Sequence, residues 1–481
     1  MSNPIQMLRQ IASAHQYRAL SGMFLIAVAL VATMAIISNT HHRIHPDEFD
    51  HIAAARYYLE HWLPPVVADP RTLDSYSNYG MSYLNEWDIV YFFAGKFALL
   101  VRPVVQNEIL AFRLFNVSLF LFLMCMAWAR RDQILPLSIL LLSPQIWYVF
   151  SYFNGDAFPL FLSLLAACEL TSLRSAFNDR TRAVAARYLL LSVYVGLIVL
   201  SKRTFWMFAV FTCCYAALCE FWHSRDQGAS LGPKLLRQAG LFVLMVCAVA
   251  LPRIGYDFYS NGAALQKTQK IVATAELLAD SDYKPSRVAS SDYSGDSNLR
   301  ARGVGLMEVI HWDNWRFRWF RTTLFSTFGV YHYMSLSGPV WLYLMSVGAA
   351  TLLVLTLSIA IILKGDLREK GVLALSATCC VLVVSLSLYH SWVSAFQPQG
   401  RYLFAVFPIL AVVLASSRKL VPSILTTILV GFSFLLSSYS FVFVGLNHIP
   451  KSWEKVEKPT HPSLMLEREW KRKGQPMLEG R

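Results

Sequence analysis

The stretch ALSGMFLIAVALVATMAIIS (Ala19–Ser38) is followed, after only five residues, by IHPDEFDH (Ile44–His51). The first segment is long enough and apolar enough to span a bilayer as a helix, which takes about 20 residues. The second crowds three carboxylates and two histidines against the end of that span. Ionisable groups held next to a membrane are costly and read as a functional site. Arg9 and Arg18 precede the run and no small-residue cleavage site follows it, so a retained first span is expected rather than a removed signal peptide.

The rest of the chain repeats the apolar theme. Of 481 residues, 55% are hydrophobic and 15% charged, against about 25% charged in soluble domains. The expected fold is therefore an all-α polytopic membrane protein forming a single membrane domain over residues 1–481. Apolar runs near 19–38, 108–129, 133–150, 157–173, 187–201, 204–222, 236–252, 338–363, 371–389, 402–417 and 420–445 predict about eleven transmembrane helices. The net charge of +13 sits largely in short loops, where it sets orientation, and no soluble basic domain is present. Nucleic acid is thereby excluded as a partner. All eight cysteines lie within apolar runs, as small packing residues rather than a disulfide or zinc framework.

With the N-terminus inside, the loops carrying Arg130-Arg131, Arg174 to Arg187, Arg225 to Arg237, Lys364 to Lys370 and Arg418-Lys419 all fall on the inner side. The outer set is then 44–107, 151–156, 201–203, 252–335 and 390–400. The Lys-rich tail, 446–481, fits the outer side less well. The first outer loop, 39–107, is expected to hold two helices lying in the interface, Phe49–Leu63 and Glu86–Val101, joined by a turn-rich stretch. The second, 253–335, is expected to be mobile over Asp280–Arg302, which is rich in Ser, Asp and Gly. It ends in HWDNWRFRWFRTTLF, where Trp312, Trp315, Trp319 and Phe320 alternate with Arg316, Arg318 and Arg321, the pattern of an interface anchor or lipid head-group platform.

Within the acidic segment, a helix starting near Pro46 would put Asp47, Asp50 and His51 on one face. Such a group could act as a base toward a hydroxyl. Alternatively His45, Asp47, Asp50 and His51 could hold a divalent metal, the only cofactor considered. Cations recur on the same outer side: Lys202 and Arg203 at one helix junction, Arg401 in QPQGRYL (397–403), and Arg113 near the top of a span. Arg suits phosphate through its planar fork, and Gly400 would let a backbone come close to a ligand. Asn116, Asn154, Asp156, His390 and Gln399 complete the polar set, with Asp69, Asp74, Glu86 and Asp88 as further candidates for reading hydroxyls. An outward cavity with carboxylates on one wall and cations on the other fits a lipid phosphate carrying a sugar.

Pro46-Asp47-Glu48-Phe49-Asp50-His51 (PDExxH) and Gln399-Gly400-Arg401-Tyr402 (QGRY), together with one span, an acidic outer loop, interfacial helices and a bundle, resemble the GT-C superfamily of membrane glycosyltransferases. They are most similar to a bacterial branch with the same two motifs. The likeness covers the layout of most of the chain but only these motifs in residues. It implies a multi-pass protein of the bacterial inner membrane with its site facing the periplasm. It implies a polyprenyl-phosphate-linked sugar as donor, with membrane lipids around it and a glycan or glycolipid such as an O-antigen repeat as acceptor. Asp47 would be the catalytic base, assisted by Glu48. Arg401 would bind donor phosphate, and the outer-side cations Lys202, Arg203 and Arg113, read from the residues themselves, would join it. His51, Asp50, Glu86, Asp88, Asn154, Asp156, His390 and Gln399 would face sugar or acceptor. The alternatives are an O-antigen-type polymerase or ligase, a lipid or solute transporter, and an intramembrane metallopeptidase.

Overall fold

The computed structural model describes residues 4–38, 44–228, 231–293, 295–312, 314 and 316–449. The expected tail lies almost wholly outside them, as does Trp315. Among these residues eighteen α-helices follow in order. They are α1 Pro4–Ile37, α2 Glu48–Glu60, α3 Val90–Val101, α4 Glu108–Ala129, α5 Ile134–Leu137, α6 Pro144–Ser151, α7 Ala157–Thr171, α8 Val184–Val199 and α9 Trp206–Asp226. Then come α10 Leu231–Asn261, α11 Ala264–Leu278, α12 Pro285–Val288, α13 Leu306–Ile310, α14 Trp319–Thr327, α15 Val340–Lys364, α16 Leu367–Val393, α17 Val406–Ser416 and α18 Ser423–Tyr439. The described strands are one two-residue pair, β1 Val330–Tyr331 with β2 Leu336–Ser337. The protein is an all-helical, multi-pass membrane protein.

The number of spans is smaller than expected. Among the described residues seven helices are long and apolar enough to cross a bilayer, or eight if the bent pair 131–141 and 144–151 is counted as one. That pair turns by 94° between its halves, where one continuous span was expected over 133–150. The runs read as spans at 157–173, 187–201 and 402–417 form helices of 15, 16 and 11 residues. At 1.5 Å per residue even the longest of these reaches only about 24 Å, short of the ~30 Å hydrocarbon core. For α7 and α17 the apolarity has another cause, whereas α8 keeps Leu189 and Leu190 exposed. In α7, 13 of 15 residues are buried. A helix surrounded by protein is apolar all round, just as a lipid-facing one is.

The short helices nonetheless run between the same two ends as the long ones. At one end α1 finishes at Ser38 beside Arg113 of α4 (3.0 Å), α7 starts after Asp156, and α8 finishes before Lys202. At the other end Tyr17 donates to the Trp128 carbonyl (3.1 Å), Gln16 to that of Ser423 (3.2 Å), and Ser172 to Asp132 (2.7 Å). This second end gathers the basic loops: Arg131 lies over Tyr17, Arg180 and Arg187 meet on Glu220, and Arg368 bonds Asp226.

Helices α2 and α3 form where two short amphiphilic helices were expected. Between them a turn-rich segment is pinned to the second large loop. The Val67 amide donates to Asn261 (2.8 Å), Trp87 to Asp257 (2.9 Å), and the Asp280 amide to the Asn78 carbonyl (3.0 Å). The segment expected to be mobile is also tied down. Asn298 and Arg300 amides donate to the carbonyls of Ser394 (2.7 Å) and Trp392 (3.0 Å). Trp319, expected at the interface, is fully buried and donates to Ser391 (2.9 Å).

Candidate functional site

The acidic segment enters α2 at Glu48, two residues after the expected start near Pro46. Asp47 precedes the first turn with φ 58°, a left-handed conformation that Asp tolerates better than most residues. That kink sends Asp47 and Glu48 in opposite directions. Glu48 turns inward, where its two oxygens accept from Arg113 Nε (2.7 Å) and Nη2 (2.6 Å), both side chains being 0% exposed. The Phe153 amide adds a third bond to Glu48 (3.0 Å), and Arg113 Nη1 donates to the Ala35 carbonyl (3.2 Å) and Ser38 (3.0 Å). Burial pushes the Glu48 carboxyl up, against the pull of Arg113. Glu48 and Arg113 therefore do not stand on an open wall. They brace α1, α2, α4 and the 150s loop.

Asp47 turns outward, with 38% of its side chain exposed, and its Oδ2 accepts from Arg401 Nη2 (3.1 Å) across 354 residues of sequence. Arg401, 8% exposed, also faces Asp156 (3.9 Å), and the opposite oxygen of Asp156 pairs with Lys202 (2.8 Å). The result is an alternating row: Asp47, Arg401, Asp156, Lys202. Lys202 and Arg401 both lie near the Tyr402 ring, at 5.8 and 5.5 Å. Arg401 Nε has no hydrogen-bond partner among the described residues.

Each member is set by local structure. Asn154 bonds the carbonyls of Val149 (2.6 Å) and Tyr152 (2.9 Å), and accepts from the Asp156 (2.9 Å) and Ala157 amides (3.2 Å). It is spent in shaping the turn that presents Asp156, so the expected sugar contact is replaced by a positioning role. Gly400 serves the same end. A Cβ there would sit within 2.5 Å of Thr327 backbone atoms, and the Gly400 amide donates to Ser326 (2.7 Å). What approaches Gly400 is therefore the end of α14, not a ligand.

A second group lies against the row. The His51 ring stacks on Tyr83 (4.1 Å between centroids), and its Nδ1 is bonded to the Tyr91 hydroxyl (2.8 Å). Its Nε2 is buried without a partner among the described residues. Burial, with Lys202 and Arg401 nearby, holds the imidazole well below its ordinary pKa. Asp88 accepts from the Val90 amide (3.3 Å), and burial pushes its carboxyl up to about 7. Gly155 lets the loop close over both: a Cβ would stand 3.3 Å from Asp88 and 3.2 Å from the Tyr91 oxygen.

Several expected members stand elsewhere. Arg203 pairs with Glu86 (2.7 Å) at the surface, the two side chains being largely exposed. Asp69 pairs with Arg71 (2.6 Å) and Asp74 with Arg56 (3.4 Å). His390, in the last turn of α16, is exposed and makes no side-chain hydrogen bond or ion pair with the row. Gln399 precedes the short turn carrying Arg401, and the Tyr402 amide bonds its carbonyl (3.2 Å). Asp50 lies on α2, near enough to Tyr83 to influence its charge. His45 uses both ring nitrogens, on Ser38 (2.8 Å) and Tyr148 (2.9 Å). Among the described residues no three His, Cys, Asp or Glu side chains converge as metal ligands. The four proposed for a divalent metal thus do not form such a group. The sequence reading missed Tyr83, Tyr91 and Tyr148, and also His332, whose ring bonds the Ile44 carbonyl. Lone tyrosines and a single loop histidine have no spacing that would mark them.

Compared with protein-family models, curated proteins and solved structures, the chain matches none.

Proposed function

We propose that this chain is an inverting glycosyltransferase of the GT-C kind, seated in a bacterial inner membrane with the Asp47 end facing the periplasm. It would move a sugar from a polyprenyl-phosphate donor to a hydroxyl of a lipid-linked surface glycan such as an O-antigen repeat. The observation that supports this best is the half-open Asp47–Arg401 pair (3.1 Å), with Lys202 one step along the row. It sits at the bundle end where long apolar helices stop, the depth at which a lipid phosphate resides.

In this reading the acceptor oxygen bonds to the anomeric carbon while the bond from that carbon to phosphate oxygen breaks. The electron pair leaves with the polyprenyl phosphate, and the hydroxyl proton passes to Asp47. Arg401 and Lys202 stabilise the charge that grows on the leaving phosphate. Donor binding and base release are linked. Phosphate competes with Asp47 for Arg401, and a carboxylate freed from that pair is ready to take a proton. Asp156 keeps the two cations in place. His51, Asp88 and Asp50 are the groups nearest an incoming hydroxyl or sugar. Glu48, Arg113 and Asn154 position others, and Arg203 with Glu86 stays at the rim.

The test uses membranes carrying the full chain and a panel of synthetic polyprenyl-phosphate hexoses and pentoses. Asp47→Asn should lower transfer by about 10²–10⁴-fold, the usual worth of a general base. Arg401→Gln should lower it by about 10²–10³-fold. Normal turnover by Asp47→Asn would end the proposal. If Arg401→Gln alone is inactive, a polymerase or ligase acting on a diphosphate becomes the better reading.

A further inference from the structure

A cavity of about 560 Å³ opens at the opposite end of the bundle, lined by Gln16 and Tyr17 of α1, Arg131, Arg418, Lys419 and the first turn of α18. Orientation alone accounts for the sign of charge in loops. It does not account for cations from connections nearly 300 residues apart lining one hollow. None of the three forms an ion pair with a described carboxylate. Asp132 also lines the hollow, near enough to Arg418 to feel its charge, and its Oδ2 accepts from Ser172 (2.7 Å) and Gln133 (3.0 Å); one carboxylate among three cations leaves the lining positive. Arg131 is steadied from below by the Tyr17 ring, 5.1 Å away. A second hollow of about 460 Å³ shares Arg418 and Lys419, so these two side chains stand between open spaces rather than against protein.

The walls are amphiphilic. Ser423 and Thr426 of α18 face the cavity. Ile424 and Ile428, on the outward side of the same turns, are 68% and 60% exposed. A ligand with an anionic head and long apolar chains could place the head among Arg131, Arg418 and Lys419 and its chains along α18. We propose that this cavity binds the phosphate group of an anionic membrane lipid, as a site separate from the Asp47–Arg401 row.

Purified full-length protein in a neutral detergent provides the test. Phosphatidylglycerol, phosphatidylcholine and inorganic phosphate are titrated separately, with melting temperature and lipid retention by native mass spectrometry as readouts. Phosphatidylglycerol should raise the melting temperature and be retained, whereas phosphatidylcholine should do neither. The triple variant R131Q/R418Q/K419Q should bind phosphatidylglycerol at least about tenfold more weakly, the loss of roughly one charge-assisted contact. A control, R174Q/R225Q/K364Q, removes as much charge from the same end outside the first cavity and should bind as the parent does. Equal weakening by both variants, or undiminished binding by the triple variant, would overturn the site. Protection by inorganic phosphate without lipid retention would keep the phosphate chemistry and discard lipid as its source. Should the triple variant not fold, R418Q alone is read the same way, with about a threefold weakening expected.

Discussion

Glu48 meets Arg113 with both side chains sealed from solvent, whereas Asp47, one residue earlier, keeps 38% of its side chain exposed and touches Arg401 at 3.1 Å. Both are Asp/Glu–Arg pairs, and both join distant parts of the chain. They differ in what surrounds them. The inner pair has three further bonds, from the Phe153 amide to Glu48 and from Arg113 to Ala35 and Ser38, and nothing more can enter. The outer pair leaves Arg401 Nε unused and Asp47 open on one side. A closed pair holds helices together, while a pair with an open side can exchange partners. The left-handed turn at Asp47 is what separates the two roles.

The largest effect should come from breaking the closed pair. Glu48→Ala leaves the Arg113 guanidinium buried without its counter-charge, a loss of about 3–5 kcal/mol for a buried pair. The expected outcome is a steep fall in melting temperature and in yield of folded protein, measured in the same detergent as the parent. A Glu48→Ala protein as stable as the parent would mean that the pair does not brace the helices. Joint replacement of both partners by apolar residues, Glu48→Leu with Arg113→Met, should recover much of that loss, because no charge is then stranded.

Asp88 gives the next effect, and it depends on pH. Its carboxyl is raised to about 7 in the fold, above the usual carboxylate range that the unfolded chain keeps. The folded state therefore binds more protons between about pH 4 and 7, and stability falls as pH rises across that window. The contribution is fully present below about pH 4 and gone above about pH 7, on the order of 4 kcal/mol in all. Asp88→Asn should flatten this slope in melting curves taken from pH 4 to 8. His51 works in the other direction. Its lowered pKa favours the fold at neutral pH and is lost on acidification, so the Asp88 slope is best read as the difference between parent and variant.

Sequence reading could bring Asp47, Lys202 and Arg401 to one side of the bundle because each follows or precedes an apolar run, and run ends alternate between faces. Asp156 came with them for the same reason. It could not separate Glu48 from Asp47, since a helix begun at Pro46 would have put both at its open first turn. A single left-handed residue decides that, and an Asp-Glu pair does not announce it. Nor could it separate lipid-facing from protein-facing helices. Apolar composition is the same in α7, which is packed inside, and in α15, whose Leu344, Leu352 and Leu363 are exposed. At α7 and α17 the span count was too high for that reason. Asn154 and Gly400 lie beside the Asp47–Arg401 row, but what they do there is to shape backbone turns and close approach, for which side-chain chemistry gives no hint.

The smallest effect should belong to the outer pair. Ion pairs with solvent access are worth about 0–1 kcal/mol. Asn also tolerates a left-handed backbone as well as Asp does, so Asp47→Asn keeps the turn at φ 58°. Its melting temperature should fall by no more than that pair is worth, even where transfer is lost. Asp47→Ala removes the same charge but puts an ordinary side chain in the left-handed region, costing about 1–2 kcal/mol more. The gap between the two variants measures the strain at the kink, and the Asn variant alone measures the pair. If Asp47→Asn destabilised the protein as much as Glu48→Ala does, the outer pair would be a brace like the inner one. A loss of activity in that variant would then say nothing about a base.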